Sequence, residues 1–386
     1  MLLLLSEFGM SMANIYFIGK KEIKTSVLSY NSLIFGLLSG LISVFIFFII
    51  YQFINNSMFK GIDSVYIHLV LIIIPFSLTT KYLDSILIGL LKIKQSCYID
   101  ILYNIASTIG IVIILLVLLG GIKDLLIFSL IMGNSLFIFY ILYIEKLTGF
   151  ARNFSWNSFK KCFGYSSKGY ISNALNFFIY RIDIVMVNFF IGVTAVGYYS
   201  LSVALAEMLW IVPSATSFVL FPVVSSNNKS ESSDLVAVVC RNVFFLTLLL
   251  GLLTMLFGRY VIIMFYGTIY RPAFLPLFIL LPGTVLGSIS ASITPYLAGI
   301  GKPIYAMYAS IFIFIFNIVS NILLIPILGI AGAALTSTIG YSISTFYYIM
   351  LFLRFSNYKL RDILIIKKED IIRYKELLLR PRSFFK

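Results

Sequence analysis

Apolar runs recur along almost the whole of this 386-residue chain, separated by short polar clusters. A helix needs about 20 apolar residues to cross a bilayer, and the runs predict helical spans at residues 1–19, 31–51, 65–91, 99–119 and 125–144. A second set follows at 170–192, 197–223, 242–258, 273–298, 304–326 and 331–353. The first run is short and carries Glu7, Gly9 and Asn14. The spans at 65–91, 197–223 and 273–298 are long enough to require tilt or kinks, with Pro75, Pro213 and Pro282 as kink sites. The predicted fold class is all-α and integral to a membrane, with about 11 transmembrane helices in two pseudo-symmetric lobes of five plus six.

The polar stretch Glu145–Lys168 separates the two sets. The expected organisation is an N-terminal lobe (1–150), a cytoplasmic or interfacial connector (151–169), a C-terminal lobe (170–354) and a basic cytoplasmic tail (355–386). Two bundles of six, the first lacking its first helix, is the natural reading, through truncation or a misplaced start. The competing reading of residues 1–19 as a signal-like segment lacks a basic region before Met1–Leu5 and a small-residue cleavage site. A faint repeat accompanies the division. Lys92 precedes Gly120 by 28 residues, and Lys302 precedes Gly329 by 27, each pair flanking one predicted span. Transporters are often built from related halves. In the connector, Trp156, Phe159 and Phe163 recur at helical spacing beside Lys160 and Lys161, which suits either a short interfacial helix or a plain connector. The tail from Lys359 to Arg380, with Ile363, Leu364, Ile371, Ile372, Leu377 and Leu378 among mixed charges, predicts an amphipathic helix on the cytoplasmic side.

Composition agrees with the spans. Hydrophobic residues make up 60% of the chain and charged residues 11%, against about 25% charged in a soluble domain. The net charge of +14 reflects topology: 23 of the 29 Lys and Arg residues fall in alternate loops and the tail, and only Lys60, Lys123, Arg259 and Arg271 fall in the opposite loops. The rich side, with the C-terminus, is therefore expected in the cytoplasm. Spread over many loops, these charges suit anionic lipid headgroups and argue against nucleic acid. Cys97, Cys162 and Cys240 lie at predicted cytoplasmic ends and form no expected disulfide. With His68 as the only histidine, no metal site is expected.

The candidate chemistry lies inside the spans. Arg181 and Asp183 sit mid-span, where a charge costs about 2.5–3.5 kcal/mol and generally faces a bundle interior or a wet cavity. On a helix, Asn173, Asn176, Tyr180 and Asp183 fall within about 80° of each other, whereas Arg181 and Asp183 lie about 160° apart and cannot neutralise one another. Each needs a partner elsewhere, and the broad polar face suits either cavity lining or interhelical ion pairs. Lys81 and Asp84, at i and i+3, can neutralise each other or face substrate. Glu207 is the other deep acid, either a proton or cation site or a partner for Arg181. Asn317 with Asn321, and Ser288 with Ser292, can hydrogen-bond neighbouring helices.

The stretches Gly169–Asn173, Tyr180–Asp183, Val196–Ser200, Ala206-Glu207 and Phe221-Pro222 resemble the bacterial polysaccharide-repeat flippases. These are the Wzx-type O-antigen exporters, or polysaccharide biosynthesis proteins, of the MOP superfamily. The likeness continues through Leu281–Gly283, Tyr296–Gly299, Gly301–Pro303, Leu324–Pro326 and Gly329–Ala334, with Ala13–Lys21 resembling the end of the family's second helix. The resemblance implies two six-helix lobes around a cavity, and alternating-access export of undecaprenyl-pyrophosphate-linked oligosaccharide across the bacterial cytoplasmic (inner) membrane for surface polysaccharide synthesis. It implies no enzymatic step and no cofactor, with proton or sodium coupling left open. Membrane lipids and other polysaccharide assembly proteins are the expected partners. Arg181, then Lys81, would meet the pyrophosphate. Asn173, Asn176, Tyr180 and Asn317 would meet sugar hydroxyls, while Asp183, Glu207 and Asp84 serve coupling or structure. A multidrug or cation antiporter of the same superfamily would share the architecture. A membrane polymerase or glycosyltransferase would need a large outer loop, and the longest outer loops here are only about a dozen residues.

Overall fold

The computed structural model describes residues 6–58, 64–367 and 369–370, and every described element is helical. Among the described residues thirteen α-helices follow one another: α1 (Met10–Gly19), α2 (Thr25–Met58), α3 (Ser64–Gly89), α4 (Ile93–Leu116), α5 (Ile122–Thr148), α6 (Trp156–Phe190), α7 (Val193–Glu207), α8 (Ile211–Ser226), α9 (Lys229–Tyr266), α10 (Phe274–Gly299), α11 (Ile304–Leu328), α12 (Ile330–Phe355) and α13 (Leu360–Leu364). Each predicted span coincides with one or two of them. By length and composition, eight helical segments among the described residues can cross a membrane. The remaining spans correspond to α1, short within the described residues, and to the more polar α6 and α12. The chain forms two compact units, Met1–Tyr170 and Ile171–Lys386.

In the first unit α3 is the central element, packed against α1, α2, α4 and α5. Its contact with α2 is close because Gly36 and Gly40, one turn apart, present no side chain to it. A Cβ at Gly36 would lie 2.6 Å from Thr79 Oγ1, and one at Gly40 would overlap the Pro75 backbone. Small residues at such spacing let membrane helices approach by backbone, where lipid offers no hydrophobic drive for association. Buried Asn14 fastens α1 to this pair. Its amide nitrogen donates to Ser32 Oγ (2.8 Å) on α2, and to Ser85 Oγ (2.9 Å) and the Tyr82 carbonyl (3.2 Å) on α3. By contrast α4 is apolar on an exposed face, with Ile101, Leu102, Ile105 and Ile109 all outward. Such a surface suits lipid rather than water.

In the second unit α10 is central, packed against α7, α8, α9 and α12. Gly283 again permits backbone approach, since a Cβ there would lie 2.6 Å from Thr338 Cα on α12. Two cores flank α10. One gathers Val224, Cys240, Ile293, Tyr296 and Phe352, the other Val187, Tyr199, Leu277, Leu281 and Ala334.

Three boundaries differ from the sequence reading. The span expected at 170–192 starts at Trp156, so the connector aromatics form the first turns of α6, with Trp156 and Phe159 stacked at 5.3 Å. The span expected at 197–223 is not one helix. A 3₁₀ turn, Met208–Trp210, divides it into α7 and α8. Pro213 accounts for this: it lacks an N–H for the Leu209 carbonyl, and its ring crowds that turn. The span expected at 242–258 extends to 229–266 as α9. Of the predicted tail helix, Leu360–Leu364 is helical, while Ile371, Ile372, Leu377 and Leu378 lie outside the described residues. Arg241, which lies just before the expected span at 242–258 and so falls among the loop cations of the sequence reading, is a buried residue of α9 whose guanidinium grips Asp370 with two hydrogen bonds, Nε–Oδ2 at 2.5 Å and Nη2–Oδ1 at 2.8 Å.

Candidate functional site

The two charges of α6 go to different surroundings, as their opposed directions require. Asp183 points into the core of the second unit and is only 3% exposed. Its Oδ2 accepts from the Tyr199 hydroxyl on α7 (2.6 Å) and the Ser337 hydroxyl on α12 (3.3 Å), and its Oδ1 accepts from the Ile184 N–H (2.7 Å). Three donors on one carboxylate offset much of its burial cost. Asp183 thereby ties α6 to α7 and α12.

Arg181 turns the other way, into a pocket of about 330 Å³ shared with Phe177, Tyr180, Glu207, Trp210 and Ser214. Glu207 lies across from it, with Nη1–Oε1 at 3.8 Å and both side chains accessible (53% for Arg181, 33% for Glu207). That distance is too long for a hydrogen bond, so most donors of the guanidinium fork remain free. The 3₁₀ turn lies at this pocket, because Glu207 and Trp210 bracket it. Beside the kink, Ser214 Oγ donates to the Trp210 (2.7 Å) and Ile211 (3.0 Å) carbonyls. Non-helical backbone at membrane depth survives only where protein or water satisfies it.

The other expected residues divide between surface and core. Asn173 is exposed on α6. Asn176 accepts from the Ser310 hydroxyl on α11 (3.2 Å), an interhelical contact. Asn317 is fully buried and accepts from Asn321 (2.6 Å), one turn along the same helix; in this conformation it lines no pocket with Arg181. Of the two readings of Lys81 and Asp84, mutual neutralisation is not what the first unit shows. Lys81 Nζ pairs with Glu7 at 2.7 Å, whereas Asp84 accepts from the Tyr140 hydroxyl on α5 at 2.8 Å. Residues three apart share a helix face but are offset by about 60°, so each long side chain can still reach a different neighbouring element. Glu7 lies just ahead of α1, too remote in sequence for local spacing to show the contact.

One pocket residue, Trp210, and one residue packed behind it, Tyr341, lie outside the sequence reading. Trp210 is three residues from Glu207, hence on the same helical side, a signal that a search confined to charges and amides passes over. Tyr341 lies on α12 and packs on Trp210 with ring centroids 5.3 Å apart. No local pattern links these two residues.

Comparison with known proteins adds to this geometry. Residues 1–275 match the family described as "Polysaccharide biosynthesis protein". The probable low-salt glycan biosynthesis flippase Agl15 of Haloferax volcanii is 24% identical over 296 residues, which cover 75% of this chain and 61% of that relative, so the chain spans less than two thirds of its length. The Vibrio cholerae MATE transporter VcmN in its bent form is similar in structure, with a TM-score of 0.75 at 14% identity over 92% of this chain and 86% of its own. A MOP superfamily transporter from Pyrococcus furiosus gives a TM-score of 0.75 at 14% identity, covering 92% and 84% of the two chains. At these identities the likeness is one of fold. A helical transporter fold, an apolar exterior and a family match over most of the length make this a multi-pass membrane protein, and the chain belongs to the polysaccharide biosynthesis protein family.

Proposed function

We propose that the chain is a flippase that carries a polyprenyl-pyrophosphate-linked oligosaccharide across the bacterial cytoplasmic membrane for surface polysaccharide synthesis, with its C-terminus in the cytoplasm. The observation that carries this reading is Arg181: a half-exposed guanidinium in a membrane-depth pocket, held off its nearest acid by 3.8 Å. A loose ion pair of that kind contributes little by itself. A diphosphate can engage the guanidinium in the bidentate geometry Arg favours. The match to polysaccharide biosynthesis proteins and the similarity to a probable glycan flippase support the same cargo class.

In this reading Arg181 meets the pyrophosphate and Glu207 releases it on exchange, while Asp183 holds α6 in register through Tyr199 and Ser337. Lys81, joined to Glu7 yet 57% exposed, is the corresponding cation of the first unit. Tyr180 and Asn173 remain candidates for glycan contact, and Glu207 for ion coupling. No covalent change of the cargo is part of the proposal.

The test is complementation. In a flippase-null strain, Arg181→Ala expressed at the native level should fail to restore surface polysaccharide, with Arg181→Lys intermediate. Full restoration by the alanine variant would overturn the assignment of Arg181. Proteoliposomes would test the wider reading: the lipid-linked donor should change leaflet with its covalent structure intact.

A further inference from the structure

Beside Arg181, three aromatic rings from separate elements meet at one place. Trp210, in the 3₁₀ turn, lies 5.1 Å from Tyr180 of α6 and 5.3 Å from Tyr341 of α12, and the two tyrosines are 6.2 Å apart. The indole also packs along α10. Its Nε1–H donates to the Thr284 carbonyl at 3.2 Å, and the ring lies beside Gly287, where a Cβ would stand in ordinary contact, 3.6 Å from Nε1. Because the N–H is committed to Thr284, Trp210 offers the pocket ring carbon surface rather than a donor. Tyr180 joins it in the pocket wall, with Arg181, Glu207 and Ser214 around the rim.

We propose that Trp210, braced by Tyr180 and Tyr341, is a stacking subsite for one pyranose ring of the cargo, next to the phosphate position at Arg181. This rests on the flippase reading above. A pyranose presents axial C–H groups on a face and hydroxyls around its edge. The C–H groups carry partial positive charge and suit the negative face of an aromatic ring. The hydroxyls need donors and acceptors at the rim, which Arg181, Glu207 and Ser214 supply. The pocket volume, about 330 Å³, lies within the ~300–1,000 Å³ range of small-ligand sites. Aromatic rings beside a carboxylate also describe a site for an organic cation. Here the exposed Arg181 repels such a ligand, and its charge offsets that of Glu207, so a neutral ring beside an anion fits better.

The chain has two tryptophans, Trp156 and Trp210. In the full chain carrying Trp156→Phe, reconstituted in lipid nanodiscs, indole fluorescence therefore reports on Trp210 alone. Two probes are titrated: polyprenyl diphosphate, and polyprenyl-diphospho-N-acetylglucosamine. The sugar-bearing lipid should bind roughly 10-fold more tightly and shift Trp210 emission. In calorimetric titrations, Trp210→Ala should reduce that preference from roughly 10-fold to about 1, the ratio of the two affinities being the quantity read. Trp210→Phe should restore part of it, which separates stacking from misfolding, and Arg181→Ala should weaken both lipids alike. Equal affinities in the native chain, or a preference that survives Trp210→Ala, would overturn the subsite and leave the flippase reading standing. Binding of neither lipid would overturn both. Quenching of Trp210 by tetraphenylphosphonium in competition with the glycolipid would replace the sugar subsite with a cation site.

Discussion

The Arg241–Asp370 pair fixes where the chain goes after its last membrane helix, and breaking it has a calculable effect. Asp370 is almost fully buried, and the Arg241 guanidinium lowers its carboxyl from the usual 3.8 to about 2. At ~1.4 kcal/mol per pH unit, that displacement corresponds to about 2–3 kcal/mol. Arg241→Ala would leave a buried, unpaired carboxylate, a cost of about 3–5 kcal/mol if the structure could not respond. The tail can respond by leaving α9, so the measurable loss is limited to the docking energy. Hydrogen exchange should therefore show the amides of Asp362 and Ile365, bonded to the Lys359 (2.9 Å) and Arg361 (3.1 Å) carbonyls, losing protection by about 30- to 150-fold. A lowered carboxylate pKa contributes stability in full above about pH 5, and loses it as pH falls from about 4 towards 2. Docking in the native chain should weaken across that window, and Arg241→Ala should flatten the dependence. Asp362, lowered mainly by its hydrogen bond with Lys367, titrates in the same direction, so a residue of pH dependence remains in the variant. Wild-type exchange rates in Arg241→Ala, or an undiminished pH dependence, would refute the argument.

Two further substitutions test the packing that positions the site. Gly40→Val forces a side chain against the Pro75 backbone and should destabilise the first unit by about 1–3 kcal/mol, read as a lower melting temperature in detergent; an unchanged melt would mean that α2 and α3 do not approach there. Tyr199→Phe removes the 2.6 Å hydrogen bond to buried Asp183 and should cost about 1.5–3 kcal/mol by the same assay, more than Tyr198→Phe on the neighbouring position. Equal effects of the two would show that the Asp183 contact holds nothing together.

How far the sequence reaches can be judged residue by residue. The eleven apolar spans are legible because burying a helix in lipid demands a contiguous run of about 20 apolar residues, a property of local composition. Arg181 and Asp183 are legible as a pair that cannot cancel, because the angle between them follows from helix geometry alone. Their surroundings are not legible. Helix geometry gives a direction, whereas the choice between a packed core at Tyr199 and Ser337 and an open pocket at Glu207 depends on which helix lies in that direction. The same limit explains Lys81, whose nearest acid in sequence was Asp84 and whose partner in space is Glu7.

The sequence by itself therefore determined the membrane-embedded helical class and the opposed directions of the two α6 charges, because each depends on spacing within a single segment. Only the tertiary structure decided that Arg181 is accessible and Asp183 enclosed, that a proline-induced 3₁₀ turn sets Glu207 and Trp210 at one pocket, and that Tyr341 completes an aromatic cluster there. These are contacts between residues up to 161 positions apart, from Tyr180 to Tyr341. Such contacts arise when glycine-permitted close approaches, as at Gly283 against Thr338, select one packing of helices whose apolar surfaces are otherwise interchangeable.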